Sequence, residues 1–204
     1  MQKEEFIYWA KRVYEADLNP STSGNMSVRL PDNTILITSS GSSHGDLCDD
    51  EIIKIDMQGN IIEGDKKPSS EKFMHINIYK KRDDINAVIH SHSPYITAFA
   101  VADKKIDEVI MPEFAFHFGS VPTAKYYMPS SDNLANAVAK YFQDYNAVLM
   151  QNHGIVQGGK TLKECFYALE ALQAYCRTYI YAKILGNVKS LNKKEIKEID
   201  KLKG

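Results

Sequence analysis

The spacing of hydrophobic residues predicts a helix followed by two hairpins in the first third of the chain. Over residues 3–17, apolar side chains recur at helical intervals opposite a charged face, at Phe6, Trp9, Ala10, Val13 and Tyr14. From residue 25 the pattern changes to short alternating runs, NMSVRL with TILITSS and then IIKID with NIIEG. Turn-forming residues separate the members of each pair, so each pair is predicted to form an antiparallel hairpin.

The middle of the chain alternates between predicted helices and strands. Ser69 and Ser70 are candidate caps for a helix over residues 71–82, whose predicted core-facing residues are Phe73, Met74, Ile76 and Ile78. The strand NAVIHSH follows. Because Pro94 comes directly after Ser93, a further helix is predicted to begin at Pro94. The runs DEVIMPEF and SVPTAKYY are predicted to form further short strands.

The last third is predicted to contain a helix over residues 132–142, a buried strand AVLMQNHG and a long helix. Thr161 and Glu164 form a capping-box pattern at the start of the long helix, and Gly186 is its predicted C-terminal stop. Apolar residues surround most of this helix, which indicates a central or subunit-contact position. Hairpins that alternate with helices favour an α+β fold or a three-layer α/β/α fold around a mixed, mainly antiparallel sheet, rather than a parallel nucleotide-binding sheet.

Length and composition narrow the class of protein. The chain has 204 residues, 44% of them hydrophobic, so we expect one domain over residues 1–204, with about 187–204 as a tail. The net charge is −1 with no basic patch, so nucleic acid is not an expected partner. No apolar run approaches the roughly 20 residues of a membrane span, and the chain begins without a secretory-signal pattern. We therefore expect a soluble, cytoplasmic protein.

Three histidines at predicted strand ends are the candidate metal ligands. His90 and His92, in AVIHSH, are two residues apart, so their side chains leave the same face of the strand. His153, in LMQNHG, ends a distant strand and precedes Gly154, which permits close approach. Three imidazoles with one open position are typical of a catalytic metal centre. Zinc fits this all-nitrogen set best, with cobalt, manganese or iron as alternatives.

Cysteine does not offer a competing metal site. The three cysteines of the chain have no CxxC spacing, which predicts neither a disulfide framework nor a thiolate zinc site.

Glu71 and three turns complete the candidate site. Glu71 is either the base beside the metal or a first-turn glutamate that the helix dipole favours. Turns that carry glycine and hydroxyl groups can bind phosphate without lysine. Each turn alone has an ordinary structural explanation, but the three together favour a phosphate pocket, formed by Gly24 and Asn25, Ser40 and Gly41, and Ser69 and Ser70.

The ordered set SGNMSVR, TSSG, KPSSE, HSH and QNHG resembles the class II aldolase/adducin family, and most of all its L-fuculose-1-phosphate aldolase branch. The resemblance extends from about residue 22 to the final long helix. It implies zinc ligation by His90, His92 and His153, an acid/base role for Glu71 and phosphate binding by the three turns. It also implies a fourfold-symmetric homotetramer with its sites at subunit contacts. The implied reaction is reversible cleavage of a ketose 1-phosphate into dihydroxyacetone phosphate and an aldehyde.

One position departs from the family pattern. The aldolases carry a tyrosine, supplied across the subunit contact, that protonates the aldehyde oxygen. In MPEFAFHFGS this register holds Phe116, which has no proton to donate, followed by His117. We expect His117 to take over the role, with Tyr126 or Tyr127 as alternatives.

Other branches of the family stay open as alternatives. The ribulose-5-phosphate 4-epimerase branch shares the histidines but resembles PSSD where this chain has PSSE, and a glutamate reaches one methylene further. The methylthioribulose-1-phosphate dehydratase branch also carries a glutamate there. A non-catalytic, adducin-like binding module would be marked by loss of metal ligands, and all three histidines are present.

Overall fold

An eight-stranded sheet forms the centre of the computed structural model, which describes residues 3–203; residues 1, 2 and 204 of the predicted domain and tail lie outside it. The strands in chain order are β1 Asn25–Arg29, β2 Ile35–Thr38, β3 Ile52–Ile55, β4 Ile61–Glu63, β5 Ala87–Ser91, β6 Thr123–Ala124, β7 Ala147–Met150 and β8 Gly154–Gly159. Their spatial order is β4-β3-β2-β1-β5-β8-β7-β6. All neighbouring pairs are antiparallel except β6 and β7, so the predicted mixed, mainly antiparallel sheet is confirmed.

Helices cover both faces of the sheet, which confirms the predicted three-layer α/β/α fold. The helices in chain order are α1 Lys3–Glu15, α2 Lys72–Lys81, α3 Pro94–Val101, α4 Pro112–His117, α5 Asp132–Tyr141, α6 Leu162–Leu185 and α7 Lys193–Asp200. Helices α1, α3, α4 and α6 pack on one face, while α2 and α5 pack on the other. A membrane-spanning helix, long and apolar enough to cross a bilayer, is absent from residues 3–203.

Strand β5 lies at the middle of the sheet and directs its alternating side chains to the two faces. Ala87 and Ile89 join the cluster under α1 and α6, while Val88 joins the cluster under α2 and α5. Because side chains alternate along a strand, His90 shares the face of Val88 and points towards α2. His90 therefore lies close to the start of α2.

Several predicted elements are wrong in detail. The run over residues 107–114, predicted to be a strand, is instead a loop over residues 107–111 followed by the start of α4, because Pro112 occupies the first turn of that helix, where its fixed φ is favourable. Phe73, predicted to face the core, is 40% exposed, because the buried face of α2 centres on Met74, His75 and Ile78. Tyr14 is likewise exposed beside the buried stripe of α1. Strand β8 was not predicted.

Part of the tail forms the short helix α7. Asn192 and Glu195 cap α7 through reciprocal hydrogen bonds. Ile196 and Ile199 are partly buried against the cluster that contains α4 and α6.

Candidate metal centre and its surroundings

The structure brings the three predicted histidines together at one end of the sheet. His90 lies in β5, His92 directly after it, and His153 in the tight turn between β7 and β8. Their ring centroids are 4.6, 4.8 and 5.0 Å apart. One nitrogen from each ring lies within 4.8 Å of the others, so the group is able to hold a metal ion.

Gly154 allows this convergence because it follows His153 at the point where the two strands meet. A β-carbon at residue 154 would collide with the carbonyl oxygen of Ser91 and would lie 3.2 Å from the ring of His92. Only a residue without a side chain fits there, so the glycine predicted to permit close approach does so.

Hydrogen bonding and burial fix the protonation of the imidazoles. Nδ1 of His90 donates to the carbonyl oxygen of Ile155 at 2.9 Å, because a carbonyl can only accept. Its Nε2 therefore presents a lone pair towards His92 and His153. Burial lowers the pKa of His90 to about 3 and that of His92 to about 4, and lowers the pKa of His153 as well. All three rings are neutral at pH 7, which is the form that binds metal.

The donor set fits a divalent cation. Nε2 of His90 lies 2.9 Å from Nε2 of His92, and a cation between such nitrogens relieves the repulsion of their lone pairs. Glu71 Oε1 is buried without a hydrogen-bond partner, 3.6 Å from Nε2 of His153. A buried carboxylate oxygen without a donor is costly, and a metal ion held by the three nitrogens would compensate it. Neutral nitrogen ligands suit zinc.

Glu71 is positioned as a base rather than as a helix cap. It is the N-cap residue of α2, yet its side chain makes no capping hydrogen bond. Its Oε2 instead accepts from Nδ2 of Asn25 at 2.9 Å and lies 3.2 Å from Nε2 of His90. Burial raises the pKa of Glu71, but the facing imidazoles of His90 and His153 and the hydrogen bond from Asn25 lower it by more, so that the net pKa lies below its ordinary value. The carboxylate is thus ionised and able to accept a proton.

The three predicted phosphate turns lie at the same end of the sheet as the histidines. Asn25 is the strand neighbour of His90 in the β1–β5 pair. The other two turns meet each other, because Ser40 N–H donates to the carbonyl oxygen of Lys67 and Ser69 N–H donates to that of Thr38. These two N–H groups are therefore already bonded, so a phosphate would meet the hydroxyl groups of the turns. Gly24 and Gly41 have left-handed backbone angles, with φ of +72° and +78°.

The remaining turn residue, Ser70, contacts a loop from elsewhere in the chain. Its Oγ accepts a hydrogen bond of 2.8 Å from Oγ of Ser130. Ser130 precedes α5 and has a left-handed φ of +64°.

The proposed proton donors are not gathered around the histidines within one chain. His117 ends α4 and lines a surface cleft with Thr161, Glu164 and Tyr167 at the start of α6. Helix α6 starts just after β8 ends. The end of β8 pairs with Ala87, the first residue of β5, whereas His90 lies near the other end of β5. Phe116 is exposed beside His117.

The two alternative tyrosines lie nearer to the histidines. The backbone N–H of Tyr126 donates to Oε1 of Gln151, two residues before His153. Tyr127 follows, and both tyrosine side chains are exposed.

Two buried loop residues near the site were not predicted. Asn19 joins the backbone of His90 and His92 through its side-chain amide. His44, just after the Ser40–Gly41 turn, has two buried ring nitrogens without hydrogen-bond partners. Burial lowers the pKa of His44 to about 4. The only local signals are the Asn-Pro dipeptide, which marks a turn, and a histidine within a serine-rich turn.

Comparison with known proteins agrees with this geometry. Residues 4–180 match the family model of the Class II Aldolase and Adducin N-terminal domain. An L-fuculose phosphate aldolase of Methanocaldococcus jannaschii is 37% identical, over 85% of this chain and 92% of that protein. A 3-oxo-tetronate 4-phosphate decarboxylase of Haemophilus influenzae is 31% identical, over 98% of this chain and 96% of that protein. A solved structure of L-fuculose 1-phosphate aldolase is similar with a TM-score of 0.90 and 33% identity, over 99% of this chain and 96% of that chain.

The fold has three layers, α/β/α, and its candidate metal site combines three histidines with an adjacent glutamate. With the family match over most of its length, the chain belongs to the class II aldolase and adducin family. The predicted resemblance to this family and to its fuculose-phosphate aldolase branch is confirmed. The homologues named above are lyases, but their names cover more than one reaction.

Proposed function

We propose that the protein is a zinc-dependent aldolase that reversibly cleaves a ketose 1-phosphate, similar to fuculose 1-phosphate, into dihydroxyacetone phosphate and an aldehyde. The observation that carries this proposal is the position of the Glu71 carboxylate, 3.2 Å from Nε2 of His90 and 3.6 Å from Nε2 of His153. A base beside a three-histidine metal site suits proton transfer at a carbon next to a ketone. The similarity to L-fuculose phosphate aldolases supports the same reaction class.

The residues of the chain have distinct roles in this proposal. His90, His92 and His153 would hold the zinc ion, which when bound polarises a ketone oxygen and stabilises developing negative charge. In the direction of synthesis, Glu71 accepts a proton from the carbon of dihydroxyacetone phosphate that forms the new bond, and His117 donates a proton to the aldehyde oxygen. In the direction of cleavage, His117 takes that proton back from the hydroxyl group and Glu71 returns its proton to carbon.

The phosphate group would bind in the three turns near Asn25. Hydroxyl groups of Ser40, Ser69 and Ser70 lie at one end of adjacent strands, and the space beside Gly41 is open to a ligand, whereas Asn19 fills the corresponding space beside Gly24. A phosphorylated sugar bound there would have its ketone towards the histidines.

A homotetramer with its sites at subunit contacts is part of the same proposal. His117 lies at the far end of β5 from His90 within one chain, so it reaches a histidine group only if a second copy supplies it. We further infer that the enzyme acts in the cytoplasm, where phosphorylated sugars are metabolised.

Decarboxylation of a 3-oxo sugar acid 4-phosphate is the second candidate, because the Haemophilus influenzae relative is named for that activity and matches nearly the whole chain. Both reactions place negative charge next to a ketone, so the same histidines and phosphate turns would serve either one.

A substrate panel distinguishes the candidates. The purified protein, loaded with zinc, is incubated with ketose 1-phosphates, ketose 5-phosphates and 3-oxo-tetronate 4-phosphate, and dihydroxyacetone phosphate, epimer and carbon dioxide are each assayed. We expect dihydroxyacetone phosphate from a ketose 1-phosphate, abolished by a chelator and restored by zinc. Carbon dioxide or an epimer in the absence of dihydroxyacetone phosphate would replace the aldolase proposal with the corresponding alternative.

A further inference from the structure

A chain of four buried hydrogen bonds runs from the core to the carboxylate of Glu71. Oη of Tyr79 lies 2.7 Å from Oγ of Ser27, which lies 2.7 Å from Nδ1 of His75. Nε2 of His75 lies 2.5 Å from Oδ1 of Asn25, whose Nδ2 donates to Glu71 at 2.9 Å. All five residues are buried, and Ser27, His75 and Tyr79 have no exposed surface.

Only one assignment of donors and acceptors satisfies all four hydrogen bonds. The Glu71 carboxylate only accepts, so Asn25 donates through Nδ2 and its Oδ1 remains an acceptor. Nε2 of His75 must then carry the proton that Oδ1 accepts. His75 is neutral, because burial lowers its pKa to about 3, so its Nδ1 has a lone pair. This lone pair accepts from the hydroxyl of Ser27, and the oxygen of Ser27 accepts from the hydroxyl of Tyr79.

Regular spacing along α2 and β1 brings the five hydrogen-bonded side chains together. Glu71, His75 and Tyr79 are four residues apart, which places them one above another on the face of α2 that meets the sheet. Asn25 and Ser27 are two residues apart on β1 and share the face opposite to that of Met26. The hydrogen bonds therefore alternate between the helix and the strand and end at the metal-facing carboxylate.

From this geometry we propose that His75 is a positioning residue: by donating to Asn25 it orients the amide that holds the Glu71 carboxylate beside the histidines. The proposal rests on the proposed function for the role of Glu71, and it adds a residue whose side chain does not touch the substrate. Without the His75 proton, the Asn25 amide loses the bond that fixes its orientation, and the carboxylate loses its donor. A fully bonded buried network holds its members in one arrangement, whereas a partly bonded one does not.

Measurement of the His75 tautomer tests the proposed hydrogen bonds independently of enzyme activity. In the wild-type protein with labelled histidine, nitrogen NMR should show His75 neutral at pH 7, with the proton on Nε2 and none on Nδ1. A proton on Nδ1, or a doubly protonated ring, would overturn the proposal.

Variants of His75 test the positioning role. His75→Gln keeps an amide N–H near the position of Nε2, whereas His75→Leu cannot donate to Asn25. We expect His75→Leu to lower kcat about 10- to 100-fold, the usual effect of losing a supporting hydrogen bond at such a site. KM and zinc content should stay within about twofold of wild type because the hydroxyl groups of the phosphate turns and the three metal-site histidines are unchanged. His75→Gln should recover most of kcat.

A matched control separates positioning from general loss of stability. Tyr175→Phe removes another buried hydroxyl, which donates to the carbonyl oxygen of Glu108 at 2.6 Å and belongs to the cluster on the opposite face of the sheet from α2. It should leave kcat unchanged. If wild type cleaves a ketose phosphate and His75→Leu has the same kcat, the positioning role is wrong. If wild type cleaves no ketose phosphate, the proposed function fails. The tautomer measurement then still decides whether the hydrogen bonds between Tyr79 and Glu71 run as proposed.

Discussion

Nδ2 of Asn19 donates a hydrogen bond of 3.1 Å to the carbonyl oxygen of His90, across 71 residues of sequence. The same amide accepts from the N–H of His92 at 2.9 Å through Oδ1. Asn19 is fully buried, and a β-carbon at Gly24 would overlap its side chain. One buried amide therefore fixes the backbone between the two histidines of the HxH pair.

Replacement of Asn19 by alanine should weaken metal binding. Loss of both hydrogen bonds lets the end of β5 move, and residues that orient metal ligands typically contribute about 10- to 100-fold in affinity. Competition with a chromophoric chelator measures the dissociation constant for zinc. Asn77→Ala, which removes an exposed hydrogen bond to Asn136, is the matched control and should bind zinc as wild type does. Equal affinity of the two variants would contradict the role of Asn19.

Gly154→Ala should disrupt the metal centre more than the same change elsewhere in β8. Its β-carbon would collide with backbone at Ser91, which cannot move without displacing the HxH pair. Overpacking of this kind costs about 1–3 kcal/mol of the free energy of unfolding, and zinc affinity should fall as well.

Gly159→Ala provides the control in the same strand. Its β-carbon would lie 3.0 Å from Sγ of Cys165 and 3.4 Å from Cβ of Glu164, side chains that can adjust. Urea unfolding and zinc titration of both variants test the difference. If Gly154→Ala retains wild-type zinc affinity, close approach at this point is not required.

Local patterns were sufficient to predict the histidine group. The spacing of two in HSH sets a common face in any strand, and Gly154 after His153 permits a close crossing whatever the rest of the fold. Glu71 was more ambiguous, because its position at a helix start has two explanations that only the direction of its side chain separates.

The errors and omissions arise where tertiary contacts decide. The run DEVIMPEF has an apolar pattern that suits a strand, but Phe114 stacks on Tyr175 of α6 with ring centroids 4.3 Å apart, and that contact favours a helix. Asn19 and His44 lie in loops, where no periodic pattern exists. Their partners are distant in sequence, so local spacing cannot show that they surround the site.

The stability of the metal-free protein should fall as the pH is lowered from neutral. Burial lowers the pKa of His44 from 6.5 to about 4 and that of His75 from 6.5 to about 3. Between those values and 6.5, the unfolded chain binds protons that the folded chain does not bind. The free energy of unfolding therefore decreases with falling pH, by about 1 kcal/mol per pH unit for each such histidine.

The His44→Gln variant isolates one of these contributions. Near pH 5, its pH slope of the free energy of unfolding should be smaller than that of wild type by about 1 kcal/mol per pH unit. Urea unfolding in the presence of a chelator, between pH 4.5 and 7 at roughly half-unit intervals, measures the slope. Asn77→Ala changes no ionisable group and should keep the wild-type slope. An unchanged slope in His44→Gln would mean that His44 is protonated in the folded protein.

Glu71→Gln should retain zinc and lose turnover. The glutamine can still accept a hydrogen bond from Asn25, so the surroundings of the histidines are preserved, but it cannot take up a proton. General base catalysis contributes about 10²- to 10⁴-fold, and kcat should fall by a factor in that range. Elemental analysis and steady-state kinetics on the same preparation check both statements. Turnover equal to wild type would remove Glu71 from the mechanism.

His117→Ala should slow the reaction from a position remote from the histidines of its own chain. If a neighbouring copy supplies His117 as the proton donor to the aldehyde oxygen, kcat falls by about 10²-fold or more while zinc content is unchanged. Phe116→Leu, at the adjacent position, is the control and should retain activity. A fully active His117→Ala variant would point to Tyr126 or Tyr127 instead.

Mixed oligomers test whether two copies build each site. Co-expression of Glu71→Gln with His117→Ala creates some contacts at which one copy supplies an intact Glu71 and the other an intact His117. In a closed symmetric assembly those contacts regain activity that neither variant has alone. Each single variant, purified and mixed only after assembly, should stay inactive unless subunits exchange. Two inactive variants that never complement each other in co-expressed oligomers would require the proton donor to come from the same chain as Glu71, and Tyr126 and Tyr127, which follow β6 beside Gln151, are then the candidates.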